Sequence, residues 1–198
     1  VMYDALLAVR DRARAFSSVL DDLGHDPGEY VLATVHRAAN TDDPDRLDAI
    51  LEGLASSPLP VVFPAHPRTV EALDRHDLSL PDGIDRVDPV GYLDFVRLLD
   101  GADRVATDSG GVQKEAFYID TPCVTMREAT EWTETVAAGW NVLVGADSAG
   151  IRRALRRRFE LPTKPQPYGD GNAAVAVANA LEAAVVTASD DDAVRGRG

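Results

Sequence analysis

From residue 30 to residue 158 the chain alternates short apolar runs of β type with stretches whose apolar residues recur at helical spacing. The runs are 30–34, 60–64, 86–87, 104–107, 123–126 and 142–144. Between them the spacing predicts helices: one from a cap at Thr41 or Asp42 to about residue 54 with Pro44 near its first turn, then 67–76, 92–99, 111–118, 131–138 and 148–158. A further helix is predicted over 5–23, ahead of the first strand. The connections are short and the strands are nearly continuous in apolar residues, so each strand is buried on both faces. Only a parallel sheet with helices on both sides meets that demand, and the fold class is α/β, Rossmann-like. Right-handed crossovers then place every post-strand loop on one rim, where open α/β sheets bind ligands.

Those loops carry the candidate chemistry. Val35-His36-Arg37 follows the first strand, Ala65-His66-Pro67 the second, Asp108-Ser109-Gly110-Gly111 a later one and Arg127-Glu128 the next. The stretch Thr107-Asp108-Ser109-Gly110-Gly111-Val112-Gln113-Lys114-Glu115-Ala116 is the most specific. Two glycines at a strand-to-helix turn admit a phosphate close to the backbone, and the first N–H groups of the helix point at it. Ser109 can cap that helix and donate its hydroxyl to the same anion. Glu115, one turn further on, offers a carboxylate to a ribose diol. Read locally, the pattern fits either a nucleoside diphosphate site or a capped turn whose glycines serve geometry alone.

Composition narrows the partners. A net charge of −13 at pH 7 argues against nucleic acid. No apolar run approaches the roughly 20 residues of a membrane span, and no secretory leader opens the sequence, so the cytoplasm is the expected compartment. The single cysteine, Cys123, excludes an internal disulfide and a multi-cysteine metal site, and it sits in an apolar run as a core residue would. Arginine supplies nearly all the positive charge, with only Lys114 and Lys164 as lysines. That balance fits a salt-adapted acidic surface, and also a GC-rich genome. The run Arg152, Arg153, Arg156, Arg157 and Arg158 reads as a solvated helix face.

Taken in order, the motifs resemble the C-terminal half of the non-hydrolysing UDP-N-acetylglucosamine 2-epimerase family, in its archaeal-like branch. The matching elements are Thr34-Val35-His36-Arg37 with Asn40, Pro64-Ala65-His66-Pro67, Thr107 to Gln113 with Glu115-Ala116, Met126-Arg127 with Thr130-Glu131, Gly139 with Leu143-Val144-Gly145, and Tyr168-Gly169-Asp170-Gly171. The resemblance implies one half of a GT-B-type two-domain fold that holds a UDP-sugar in its cleft, works without metal or nicotinamide cofactor, and forms homodimers at full length. It implies proton removal at sugar C2, departure of UDP from C1, and re-addition of UDP with reprotonation from the opposite face. It further implies diphosphate contacts from Ser109, Gly110 and Gly111, ribose contacts from Glu115, and His36 with Arg37 facing diphosphate and sugar. His36 is then the catalytic candidate of this half, Arg127 an anion contact and Glu131 a wall of the sugar end. His66 is left between ligand contact and loop support, and Tyr92 and Phe95 between uracil pocket and core.

The same resemblance divides the chain into a helix after the interdomain hinge (1–24), the UDP-binding domain (25–160), a linker and helix that would pack back across a partner domain (161–187) and a flexible tail (188–198). The family's proton-transfer carboxylates belong to the N-terminal half, so this chain alone is expected not to epimerise. Ala39 stands where the family usually has a glutamate, which removes a candidate orienter of the His36 loop. A non-catalytic UDP-sugar-binding remnant and half of a GT-B glycosyltransferase stand as alternative readings.

Overall fold

A computed structural model describes residues 1–159 and 163–183. Six strands form one parallel sheet: β1 (Val31–Thr34), β2 (Val61–Pro64), β3 (Ile84–Val87), β4 (Arg104–Thr107), β5 (Cys123–Thr125) and β6 (Asn141–Leu143). Their spatial order is β3-β2-β1-β4-β5-β6. The chain lays down β1, β2 and β3 in one direction, then returns to place β4 on the other side of β1, with Val31 to Thr34 in register with Arg104 to Thr107. The order therefore reverses between β1 and β4. At such a switch point the two following loops diverge to opposite faces and leave a crevice.

The helices are α1 (Met2–Phe16), α2 (Val19–Leu23), α3 (Ala38–Thr41), α4 (Pro44–Ala55), α5 (Pro67–Arg75), α6 (Tyr92–Gly101), α7 (Gly110–Tyr118), α8 (Thr133–Ala137) and α9 (Ser148–Arg156). They cover the sheet as the period-two alternation of its side chains requires. Val31, Ala33, Val61 and Phe63 face one side and pack with Leu47, Ile50, Leu51 and Leu54 of α4 and Ile151 and Leu155 of α9. Leu32, Val62, Val105 and Cys123 face the other and pack with Leu6 of α1, Val96, Leu98 and Leu99 of α6, and Ala116 and Phe117 of α7. Cys123 is a buried core thiol, and burial pushes its pKa up to about 12. On the first side α4 and α9 touch where Gly53 meets Ile151.

The short helix α3 was not expected, and three of the other departures from the sequence expectation have an evident local reason. The helix expected over 5–23 is broken at Ser17, whose extended backbone and hydroxyl, donating to Asp94 at 2.6 Å, turn the chain into α2. The cap expected at Thr41 or Asp42 is Asp43, which accepts from the N–H groups of Asp45 and Arg46 with Pro44 next in line. The helix expected over 131–138 shrinks to α8, because Glu131 is drawn to Arg127 and the Trp132 N–H is taken by Thr130.

After α9 the chain returns along α1. Tyr3 stacks on Tyr118 with ring centroids 4.5 Å apart, and Asp4 accepts from the N–H of Ala174 at the start of a helix over 173–183. That helix leaves Val175, Val177 and Leu181 exposed. The remainder of the linker and helix expected over 161–187 and the tail expected over 188–198 lie outside the described residues. None of the described helices is long and apolar enough to cross a membrane.

Candidate functional site

The loops after β1 and β4 leave the sheet side by side at the switch point before they part, and Asp108 ties them together there. It is fully buried, and its carboxylate accepts from the backbone N–H groups of His36 (3.1 Å) and Arg37 (2.9 Å) and from Asn40 Nδ2 (3.1 Å). His36 Nδ1 lies 3.8 Å from the same carboxylate. Asn40 extends the tie to the next loop: its Nδ2 also donates to the carbonyl of Met126, and its Oδ1 accepts from Arg46. One buried aspartate and one buried asparagine thus fix three post-strand loops relative to one another. The glutamate missing at position 39 is not needed for this, since Ala39 is exposed and the loop is held from beneath.

The β4 loop then turns into α7. Ser109 has extended backbone, and its Oγ accepts from the N–H of Val112, as the expected cap does. The first helical bond to the Ser109 carbonyl comes from Gln113, so the N–H groups of Gly110 and Gly111 have no acceptor within the helix. A Cβ placed on Gly111 would meet nothing nearer than Ser109 Oγ at 3.8 Å. A Cβ on Gly110 would lie 3.5 Å from Glu131 Oε2, 3.6 Å from Arg37 Nη2 and 3.6 Å from Trp132 Nε1. Arg37, from one loop, and Glu131, from another, therefore converge on the turn. Trp132 fastens it by donating Nε1–H to the Gly110 carbonyl at 2.7 Å.

Arg127 and Glu131 form a two-pronged pair at 3.0 and 2.8 Å, and the Arg127 hydrogen bonds hold the Glu131 carboxyl down to about 2. Arg46 likewise pairs with Glu128 at 2.8 Å and lowers its pKa. His66 caps α5, its Nδ1 accepting from the N–H of Arg68 at 3.1 Å, which places the ring proton of the neutral form on Nε2. Its ring lies 5.6 Å from that of His36. Both histidines line a cavity of about 180 Å³ whose other walls include Pro64, Pro89, Val90, Phe95 and Val112. The lining of the cavity is mainly apolar. Glu115 projects from the second turn of α7 and accepts from Tyr92 Oη at 2.8 Å. Burial raises its pKa, and the Tyr92 hydrogen bond works against that rise.

The sequence matches the UDP-N-acetylglucosamine 2-epimerase family over residues 1–182. The chain belongs to that family. It is 40% identical over 188 residues to a UDP-N-acetylglucosamine 2-epimerase homolog from Methanococcus maripaludis, covering 91% of this chain and 52% of the relative. It is 44% identical over 186 residues to the UDP-2,3-diacetamido-2,3-dideoxy-D-glucuronate 2-epimerase of Pseudomonas aeruginosa, covering 91% of this chain and 51% of that one. The UDP-GlcNAc 2-epimerase of Methanocaldococcus jannaschii, solved in complex with UDP-GlcNAc and UDP, superposes with a TM-score of 0.79 at 33% identity over 91% of this chain and 52% of its own. The chain therefore spans about half the length of the curated relatives it matches.

Within this epimerase-family domain, the structure gathers His36, Arg37, Ser109, Gly110, Gly111, Arg127 and Glu131 around one turn, with His66 beside His36 and Glu115 on the same helix as the glycines. Sequence reasoning names these residues and gives no holding role to three that fix them, Asp108, Trp132 and Tyr92, the last expected only in the uracil pocket or the core. Asp108 was quoted in the motif without a role, although an aspartate directly after an apolar strand is a signal for a loop tie. Trp132 and Tyr92 contact Gly110 and Glu115 from 22 and 23 residues away in sequence, and only the tertiary fold reveals that.

Proposed function

We propose that this chain is the UDP-binding half of a 2-epimerase acting on a UDP-linked 2-acetamido sugar, and that the turn between β4 and α7 takes the diphosphate. The observation that carries this reading is the convergence at Gly110: open backbone N–H groups at the start of a nine-residue helix, with the Arg37 guanidinium 3.6 Å from where a side chain would stand. Such donors suit a diphosphate and are worth most as charge builds on a departing UDP. The apolar cavity lined by Phe95 and Pro89 takes the uracil, Glu115 the ribose, and His36 and Glu131 face the sugar. Arg127 reaches the anion by loosening its hold on Glu131. His36, oriented through Asp108, is the proton-transfer candidate of this half. A domain of this kind closes a GT-B cleft, and the exposed Val175, Val177 and Leu181 suit a helix that lies across the other half. The setting is a cytoplasmic, homodimeric enzyme serving surface polysaccharide synthesis in a salt-loving organism.

We assign the base that removes the C2 proton to a segment outside this chain. Before substrate binds, the carboxylates nearest the turn are engaged: Asp108 beneath three donors, Glu131 with Arg127, Glu128 with Arg46 and Glu115 with Tyr92. The same observation favours the second reading, a UDP-sugar-binding domain without activity of its own.

Titration calorimetry with UDP tests the site. Gly111→Val abolishes binding by blocking backbone approach, while the melting temperature stays near that of the parent because a Cβ at this position meets nothing nearer than 3.8 Å in the free protein. UDP binding unchanged in this variant removes the turn from the site. Incubation with UDP-N-acetylglucosamine in deuterated buffer separates the two readings: the 198-residue chain alone leaves C2 unexchanged, and exchange on adding a separate N-terminal half identifies a split epimerase. Exchange by the chain alone, lost in His36→Asn, refutes the assignment of the base to another segment.

A further inference from the structure

The pairing of Tyr92 with Glu115 has a consequence for nucleotide selection. Tyr92 opens α6, and Glu115 lies on α7 beside it. The tyrosine is 51% exposed, so packing does not oblige its hydroxyl to turn inward; water could satisfy it equally well. Instead Oη donates to Glu115 Oε1 at 2.8 Å. A glutamate side chain has several rotatable bonds, and an acceptor that must be immobilised on binding loses rotamer freedom. With Oε1 held, the carboxylate has one orientation before any ligand arrives, and Oε2 is left to accept from an incoming hydroxyl.

We propose that Tyr92 is a positioning residue that presents Glu115 to the ribose of a nucleoside diphosphate and thereby sets the preference for a ribonucleotide over its deoxy counterpart. The inference rests on the reading of Glu115 as the ribose acceptor. A carboxylate fixed in place gains fully from the hydroxyl it faces, and is left with an unmet acceptor when that hydroxyl is missing. A carboxylate free to rotate turns to water in both cases and discriminates little.

The test compares UDP with 2′-deoxy-UDP by calorimetry on the whole chain and on Tyr92→Phe, Glu115→Ala and the double variant. The parent prefers UDP by about tenfold, the scale expected for one hydrogen bond to a charged group. Tyr92→Phe brings the ratio close to one while keeping the melting temperature, because the ring remains. Glu115→Ala does the same, and the double variant loses nothing more. A parent ratio retained in Tyr92→Phe overturns the positioning role and leaves the ribose reading standing. A ratio retained in Glu115→Ala, or no UDP binding by the parent, overturns the ribose reading and this inference with it. Loss of folding in Tyr92→Phe makes the contact structural and equally refutes the proposal.

Discussion

Asp108 is the residue whose removal tests how the site is assembled. Its carboxylate accepts from the N–H groups of His36 and Arg37 and from Asn40 Nδ2, and it is 0% exposed. Replacing it with alanine leaves those three donors without their acceptor. Each buried, unmet donor costs about 1–3 kcal/mol. Water can reach the His36 and Arg37 amides from the rim, where both side chains are at least partly exposed, but not so readily Asn40, which is 2% exposed. The loss for Asp108→Ala is therefore on the order of 3–5 kcal/mol, a large share of the roughly 5–15 kcal/mol that stabilises a domain. Asp108→Asn is milder. The amide oxygen can occupy the Oδ2 position, which serves Arg37 and Asn40, while the amide nitrogen faces the His36 N–H that both carboxylate oxygens now share at 3.1 Å. One conflict in place of three vacancies costs about 1–3 kcal/mol.

Urea titration with linear extrapolation measures both values, and calorimetry with UDP on the asparagine variant measures the site. The expected result is a graded loss of stability, alanine beyond asparagine, together with weaker UDP binding in the folded asparagine variant because the Arg37 loop is no longer fixed. An alanine variant within about 1 kcal/mol of the parent would show that the loop ties are replaced by solvent and refute the reasoning.

Two further outcomes follow from the packing and the charge. Gly53→Ala places a Cβ 2.7 Å from Ile151 Cβ, an atom that cannot move without shifting α9, so it destabilises by about 1–3 kcal/mol while leaving UDP affinity unchanged; an unaltered urea midpoint would contradict the close approach of the two helices. A net charge of −13 repels itself most where the Debye length is long, about 30 Å at 0.01 M salt, so the melting temperature rises steeply toward molar potassium chloride. A flat or falling midpoint would leave genomic composition as the source of the arginine-rich, lysine-poor balance.

The inner strands are legible because burial on both faces writes a nearly continuous apolar run, as in Val31 to Ala33 and Val61 to Phe63, whereas the edge strand β3 carries exposed Asp85 and Arg86 between Ile84 and Val87, so only its end is read from the sequence. The turn between β4 and α7 is legible because its parts are local: Thr107 through Glu115 contains strand end, cap, glycines and helix in nine residues. Element ends depart from the sequence expectation where a side chain or backbone group answers to a partner outside its own helix. Ser17 breaks the first helix because it serves Asp94, and residues 131 and 132 stay out of α8 because they serve Arg127, Thr130 and Gly110. His66 shows the middle case. Its place before Pro67 suggested a loop role, and the structure gives it a cap on α5 and a wall of the apolar cavity at once.

The acidity of the chain sharpens the question of how it would hold an anion. Of the two lysines, Lys164 Nζ is spent on the carbonyls of Phe117 and Tyr118 and on Asp120, and Lys114 Nζ lies over the Trp132 ring, 4.1 Å from its centre. Of the arginines at the turn, Arg127 is paired with Glu131, whereas Arg37 forms no ion pair among the described residues. Recognition would then begin with backbone N–H groups and Arg37, and Glu131 decides whether Arg127 joins them. Glu131→Gln removes that competition. If Arg127 is an anion contact, the variant binds UDP a few-fold tighter, the modest scale of an exposed pair, and the gain disappears when Arg127→Ala is added. If Glu131 also faces the sugar, UDP-N-acetylglucosamine gains less than UDP, since a neutral amide is a poorer acceptor for sugar hydroxyls than the carboxylate it replaces. UDP binding that weakens in Glu131→Gln would mean that the pair acts as a unit to hold the loop against Gly110, and would take Arg127 out of the anion site.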